Sequence, residues 1–258
     1  MILHAIESGT DRERPPVVLL HGLFGQARNL GMVQRALAAT RRVIALDLRN
    51  HGESPHAAAM DYDTMAADVR ETLAASDALP CALVGHSMGG KVAMRVALTA
   101  PAAVARLLVS DIAPVAYDVA SADYAAAMAA LPLPPGLTRA AADAALAPTV
   151  DDKAVRAFLL QNLVFGAHPH WRIGLAEIVA AMPDIGDWPP LPQGALYDAP
   201  TLFVSGARSD YIRPEHRAII RRWFPTARYV TIKDAGHWVH ADNPAGFMGV
   251  LEAFIGPG

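Results

Sequence analysis

The segment Gly85-His86-Ser87-Met88-Gly89 constrains this chain more than any other. It follows the apolar run Ala82-Leu83-Val84 and opens the helix-compatible run Gly90-Lys91-Val92-Ala93-Met94-Arg95-Val96-Ala97-Leu98. A serine at a sharp strand-to-helix turn is held in a strained backbone conformation that lifts its hydroxyl above the sheet. The residues two before and two after it must be small, because the turn brings their Cα atoms together. The bare pattern arises by chance in a chain of this size with probability on the order of 0.05 to 0.1. The strand before it and the helix after it are what make it informative.

Two further segments complete a reaction site. Val17-Val18-Leu19-Leu20 reads as a short strand that runs into His21-Gly22-Leu23-Phe24-Gly25. Its glycines let the loop fold back over the strand end, so the N–H groups of Leu23 and Met88 would form a two-donor oxyanion hole. Near the C-terminus, Ala235-Gly236-His237-Trp238 follows the strand-like Arg228-Tyr229-Val230-Thr231-Ile232, which puts a histidine in a loop beyond a strand. Serine before acid before histidine is the chain order of the α/β-hydrolase fold. The three segments are expected to converge at the carboxyl ends of parallel strands.

Composition fits an enzyme with a large core. The 258 residues are 53% hydrophobic and 18% charged, which argues against disorder. A net charge of −3, with no long basic run, argues against nucleic acid or a polybasic membrane surface as partner. The N-terminus reads as a strand, so neither a signal peptide nor a transmembrane span is expected, and the cytoplasm is the expected compartment. The lone Cys81 reads as core packing and cannot form an intrachain disulfide.

Strands are expected near 2–7, 17–21, 43–47, 81–86, 105–111, 201–205 and 228–232, with helices near 28–39, 62–76, 88–99, 214–223 and 243–254. The unbroken apolar strands imply a mostly parallel central sheet flanked by helices. Asp63 or Thr64 is expected to cap the second helix. Residues 1–113 and 200–258 form the two parts of the core. Residues 114–199 are rich in alanine and proline and read as an all-helical lid inserted after the strand ending near Asp111. Its helices are expected over Asp118–Ala130, Thr138–Ala147, Asp152–Val164 and Trp171–Met182.

Four segments carry a specific resemblance: Asp47-Leu48-Arg49-Asn50-His51-Gly52-Glu53-Ser54, Gly85-His86-Ser87-Met88-Gly89-Gly90-Lys91, Asp111-Ile112-Ala113-Pro114-Val115 and Ala235-Gly236-His237-Trp238-Val239-His240. Together they resemble the YbfF-type esterases, a bacterial branch of the α/β-hydrolases. The resemblance covers essentially the whole chain and is weakest in the lid. It implies a lidded serine esterase acting on short or medium acyl esters, or thioesters, without a cofactor.

Two aspartates fit the acid position. Asp111 ends the strand after the elbow helix, and the resemblance favours it. Asp210, in Gly206-Ala207-Arg208-Ser209-Asp210, occupies the loop where most of the superfamily keeps its acid, but four residues after the glycine where three is usual. Whichever serves must accept a hydrogen bond from His237 and stabilise its imidazolium. Phe24, Trp238, Trp171 and Phe165 are the candidate pocket walls. His168-Pro169-His170 lacks a third ligand at sensible spacing, so no metal is expected. His86 reads as a packing residue, and Arg49-Asn50-His51 as a structural loop beside the site. The partner is expected to be a small ester or thioester, and the chain a monomer or small homo-oligomer. The alternatives are a carbon–carbon bond hydrolase, a lyase or an acyltransferase with the same triad, or a non-catalytic ligand receptor. The first group would read a substrate carboxylate with a lid arginine: Arg139, Arg156 or Arg172.

Overall fold

Short, fully apolar strands give the chain a sheet buried on both faces. The computed structural model describes residues 1–117 and 121–256. Its strands are β1 (Ala5–Ser8), β2 (Val17–Leu20), β3 (Val43–Leu46), β4 (Cys81–His86), β5 (Val104–Ser110), β6 (Leu163–Val164), β7 (His170–Trp171), β8 (Thr201–Gly206) and β9 (Arg228–Ile232). Seven of them form one sheet in the order β1-β3-β2-β4-β5-β8-β9. Only β1 runs antiparallel to its neighbour; the other pairs are parallel. The fold is thus the expected mostly parallel α/β sheet.

Alternation sorts the side chains to the two faces. Val18 and Leu20 point into one buried cluster with Leu83, Leu107 and Val109. Val17 and Leu19 point into the other, with Val84 and Leu108. Helices cover both. α1 (Gly31–Leu37), α2 (Tyr62–Ala75) and α3 (Met88–Thr99) come first, α2 and α3 on the first face. Asp61, rather than Asp63 or Thr64, caps α2, its carboxylate accepting the Thr64 N–H at 2.8 Å. That position leaves the cap extended and Thr64 at the third helical residue, whose N–H a capping oxygen reaches.

Between β5 and β8 lie α4 (Ser121–Ala130), α5 (Arg139–Leu146), α6 (Lys153–Leu159), α7 (Leu175–Ala180) and α8 (Met182–Gly186). The start expected at Asp118 falls outside the described residues. The inserted segment is not all-helical. The helix expected over 152–164 stops at Leu159, passes through a 3-10 turn and enters β6, which pairs antiparallel with β7. Gly166, at φ 139°, and Pro169 lie in the connection that turns the chain from β6 back to β7. Trp171 is consequently a strand residue opposite Leu163, not the start of a helix. The chain closes with α9 (His216–Trp223), α10 (Val239–Asp242) and α11 (Pro244–Ile255), the last packing Phe247 and Leu251 on the second face. No described helix is long and apolar enough to cross a membrane.

Candidate active site

Strand register brings the reactive groups level. His86, the last residue of β4, pairs with Ser110, the last of β5. Ser87 and Asp111 therefore leave neighbouring strands at the same height. The Ser87 N–H donates to the Ser110 carbonyl at 2.9 Å, and the Asp111 N–H to the Val204 carbonyl at 2.7 Å. The turn at Ser87 is strained, with φ 52° and ψ −122°. A Cβ on Gly85 would strike the Gly89 carbonyl, and one on Gly89 the His21 carbonyl, so both flanking positions require glycine. Asp111 and Phe24 also lie in the left-handed region, at φ 54° and 60°. Each such residue costs about 1–3 kcal/mol and persists only where its surroundings fix it.

The polar atoms form one continuous relay. Ser87 Oγ lies 2.9 Å from His237 Nε2, and His237 Nδ1 lies 2.8 Å from Asp111 Oδ2. Asp111 is fully buried. Its Oδ1 accepts the Gly206 N–H at 3.2 Å, and its Oδ2 also accepts the Ser209 hydroxyl. An acceptor that holds Nδ1–H leaves Nε2 free to accept from the serine. Asp210 is exposed, and its main-chain carbonyl accepts from Arg213 Nε at 3.1 Å. The loop after β8 thus reaches the relay through the Ser209 hydroxyl and not through Asp210.

Around the relay, neutral imidazoles hold the loops. His86 Nε2 donates to the His237 carbonyl at 2.8 Å, in keeping with a packing role. Burial holds its pKa well below the usual histidine value, and the neighbouring His237 and His240 rings push the same way. Burial likewise lowers His240 to about 4. Burial, helped by His21, lowers His51 to about 3. The Arg49-Asn50-His51 loop is structural: Arg49 pairs with Asp68 at 2.6 Å, and the Asn50 amide bridges both main-chain groups of Ala57.

A cavity of about 250 Å³ opens above Ser87. Leu23, Phe24, Met88 and Trp238 line its core side, and Tyr124, Val155, Phe158, Leu159 and Ile185 come from the insertion. Trp171 and Phe165 are not in this wall. Both pack against a smaller cluster of Leu131, Ala142, Leu146, Leu160 and Leu163, and Trp171 also touches the main core cluster. Reading the sequence missed Phe158, whose ring lies 5.5 Å from that of Trp238. It also missed Tyr211, stacked on His237 at 4.0 Å, and Ser209, although the Ser209-Asp210 pair drew attention to that loop.

Cations near the cavity are committed elsewhere. Lys91 Nζ donates to the Gly186 and Asp187 carbonyls at 3.2 and 2.7 Å between the faces of Tyr62 and Tyr117, and burial lowers its pKa to about 8. Arg156 pairs with Asp143 at 2.9 Å, Arg172 approaches Glu53 at 3.7 Å, and Arg139 donates to the Ala157 carbonyl. None of these three arginines lines the cavity. Among the described residues, no three histidine, cysteine or carboxylate side chains are arranged so that they could hold a metal ion.

Residues 15–244 match the α/β hydrolase fold family, and the chain belongs to it. Relatives named as esterases and lipases, and a solved esterase of the same fold, support a carboxylesterase-type α/β-hydrolase. Within the family it falls with the YbfF-type branch: it is 36% identical to Esterase YbfF of Escherichia coli over 241 residues, covering 93% of this chain and 92% of that one. It is 41% identical over 254 residues to the mouse sn-1-specific diacylglycerol lipase ABHD11, covering 95% of this chain and 82% of the relative. A solved marine microorganism esterase superposes with a TM-score of 0.93 at 32% identity, covering 98% of this chain and 99% of the other.

Proposed function

We propose that this chain hydrolyses short- to medium-chain carboxylic esters or thioesters through an acyl-enzyme on Ser87. The observation that carries the reading is the unbroken Asp111–His237–Ser87 relay beside a small, largely apolar cavity. His237 Nε2 takes the Ser87 proton as Oγ attacks the carbonyl carbon. Negative charge develops on the carbonyl oxygen, and the N–H groups of Leu23 and Met88 receive it. Each such donor is worth about 3–4 kcal/mol. Asp111 holds Nδ1–H and stabilises the imidazolium. His237 then protonates the leaving alcohol or thiol, and the same imidazole activates the water that releases the acid.

At about 250 Å³ the cavity lies below the usual range for drug-sized ligands, which supports a short or medium acyl group. Residues 114–199 act as the lid in this reading, supplying the outer wall of the acyl site. The lone buried Cys81 fits a cytoplasmic location, which is part of the same proposal. A reaction that needs a lid arginine on a substrate carboxylate is less well supported, since Arg139, Arg156 and Arg172 are all engaged away from the cavity.

The test is hydrolysis of p-nitrophenyl esters across a chain-length series by wild type and Ser87→Ala. Turnover that declines with chain length and vanishes in the variant is the expected result. Folded wild-type protein that turns over none of the series would overturn the proposal.

A further inference from the structure

The left-handed turn at Phe24 is held from two sides, and one of the two holders comes from the insertion. Phenylalanine has no intrinsic preference for φ 60°, so neighbours must impose that conformation. On one side the Phe24 N–H donates to His51 Nε2 at 3.0 Å. His51 Nδ1 donates in turn to the Arg49 carbonyl at 2.9 Å, which fixes the tautomer that leaves Nε2 an acceptor. On the other side Asn162 Nδ2 donates to the Phe24 carbonyl at 2.8 Å. Asn162 is 1% exposed and also donates to the Leu159 carbonyl at 3.3 Å. Its own carbonyl takes the Arg172 N–H at 2.8 Å. The junction between α6 and the β6–β7 ribbon therefore sets where its amide points.

We infer that Asn162 is a positioning residue for the oxyanion hole. The inference rests on the reading of Leu23 N–H as an oxyanion donor. The peptide planes on either side of the Phe24 Cα are pinned separately: His51 holds the preceding one by its N–H, and Asn162 holds the following one by its C=O. With both planes fixed, Phe24 stays left-handed and the adjoining Leu23 backbone keeps its orientation. The following plane is also tied at its other end, where the Gly25 N–H donates to the Gly22 carbonyl at 2.9 Å, and that carbonyl shares a peptide plane with the Leu23 N–H. Without Asn162 the following plane keeps only that one tie, Phe24 relaxes toward an unstrained conformation, and the shift passes through the Gly22 carbonyl to the Leu23 N–H. Asn162 reaches the reaction only through Phe24. The insertion thereby helps assemble the catalytic machinery as well as walling the cavity. Its neighbour Gln161 provides an internal control, because it exchanges amide hydrogen bonds with Asn29 at 2.8 and 3.3 Å along the same seam without touching Phe24.

The experiment compares wild type, Asn162→Leu, Asn162→Ala, Gln161→Ala and Ser87→Ala as full-length proteins. Asn162→Leu keeps the approximate shape and removes the donor. Each is assayed on p-nitrophenyl butyrate and titrated with n-butylboronic acid, whose serine adduct places an oxygen where the oxyanion forms. The Asn162 variants are expected to lose about tenfold or more in kcat, with KM within about twofold and boronate affinity weakened in parallel. Gln161→Ala is expected to stay within about twofold throughout. Folded Asn162 variants that keep kcat and boronate affinity, or a Gln161→Ala loss of equal size, would overturn the inference. Should Asn162→Ala fail to fold, Asn162→Leu, which fills the same space, carries the same readouts. Wild-type turnover that Ser87→Ala abolishes, with unaffected Asn162 variants, sinks the positioning role alone. An inactive wild type sinks the esterase reading and this inference with it.

Discussion

The two walls of the cavity are built on different principles. The core wall carries Phe24 and Ser87, with Asp111 directly behind, all three at positive φ, and each is gripped by hydrogen bonds from neighbouring strands and loops. The insertion wall offers Tyr124, Val155, Phe158, Leu159 and Ile185 from short helices, and supplies shape rather than proton transfer. Polar ties join the two, among them Asn162 on Phe24, Gln161 on Asn29, Lys91 on Gly186 and Asp187, and the Tyr62 hydroxyl on the Ile185 carbonyl at 2.7 Å, and Phe158 packs on Trp238 across the gap. Backbone strain is thus concentrated where atoms must be placed to a few tenths of an ångström. Apolar surface, which tolerates repacking, is left to the wall that meets the acyl chain.

The sharpest way to break this contrast is to remove groups from the core wall. Ser87→Ala is expected to lower kcat by about 10⁴-fold or more, because the relay acts as a unit. Asp111→Asn is expected to cost about 10³–10⁴-fold, since an amide at Oδ2 favours the wrong His237 tautomer. Asp210→Asn, exposed and one residue from Ser209, is expected to stay within about twofold. Steady-state kinetics on one p-nitrophenyl ester measures all three. Equal losses in the two aspartate variants would contradict the assignment of the acid to the loop after β5.

Acid stability reads the core wall by another route. His21, His51, His86 and His240 are buried with depressed pKa values, burial being the largest cause for each. In the unfolded chain each titrates near pH 6.5. Below that pH the unfolded state binds protons that the native state refuses, so stability is full above about 6.5 and falls as the pH drops. The loss continues until the native imidazoles themselves protonate, near 4 for His240 and near 3 for His51. Urea midpoints at pH 7.5 and 5.5 are expected to show a loss of about 1 kcal/mol for each of His51 and His240, with His86 and His21 acting in the same direction, before carboxylates contribute. A flat midpoint would show that these rings are solvated in the native state. The insertion contributes none of the four.

The same contrast governs what the sequence reveals. The elbow is legible because backbone sterics leave only glycine at positions 85 and 89, and sterics are written in residue identity. The apolar strands are legible for a similar reason, as burial on both faces leaves no polar alternation. The choice between Asp111 and Asp210 is harder to read, because both end up just beyond strands of one sheet. What separates them is the His86–Ser110 register and a left-handed turn at Asp111, neither of which is spelled in a local motif. In the insertion, alanine richness mimics helix everywhere. It hides the end of the helix at Leu159 and the short β6–β7 ribbon that follows, and so misplaces Trp171 and Phe165. Asn162 and Phe158 gain their meaning only from contacts with residues 24 and 238, far away along the chain.

The smallest expected effects lie within the insertion, where two aromatic residues separate acyl selectivity from folding. Phe158 lines the cavity against Trp238, whereas Trp171 lies outside the cavity wall, between the small leucine cluster and the main core. Phe158→Ala enlarges the acyl site and removes apolar contact. It is expected to shift the optimum of the ester series toward longer chains and to raise KM for short ones about threefold to tenfold, the range of a lost methylene or two. Its kcat on the preferred ester should hold, because no reacting group is moved. Trp171→Ala is expected to leave the chain-length profile unchanged and to lower the melting temperature, by an amount reflecting a half-buried ring worth about 1–3 kcal/mol. If Trp171→Ala moved the profile as far as Phe158→Ala, the ribbon would have to lie in the acyl site, and the division between a reacting wall and a shaping wall would need redrawing.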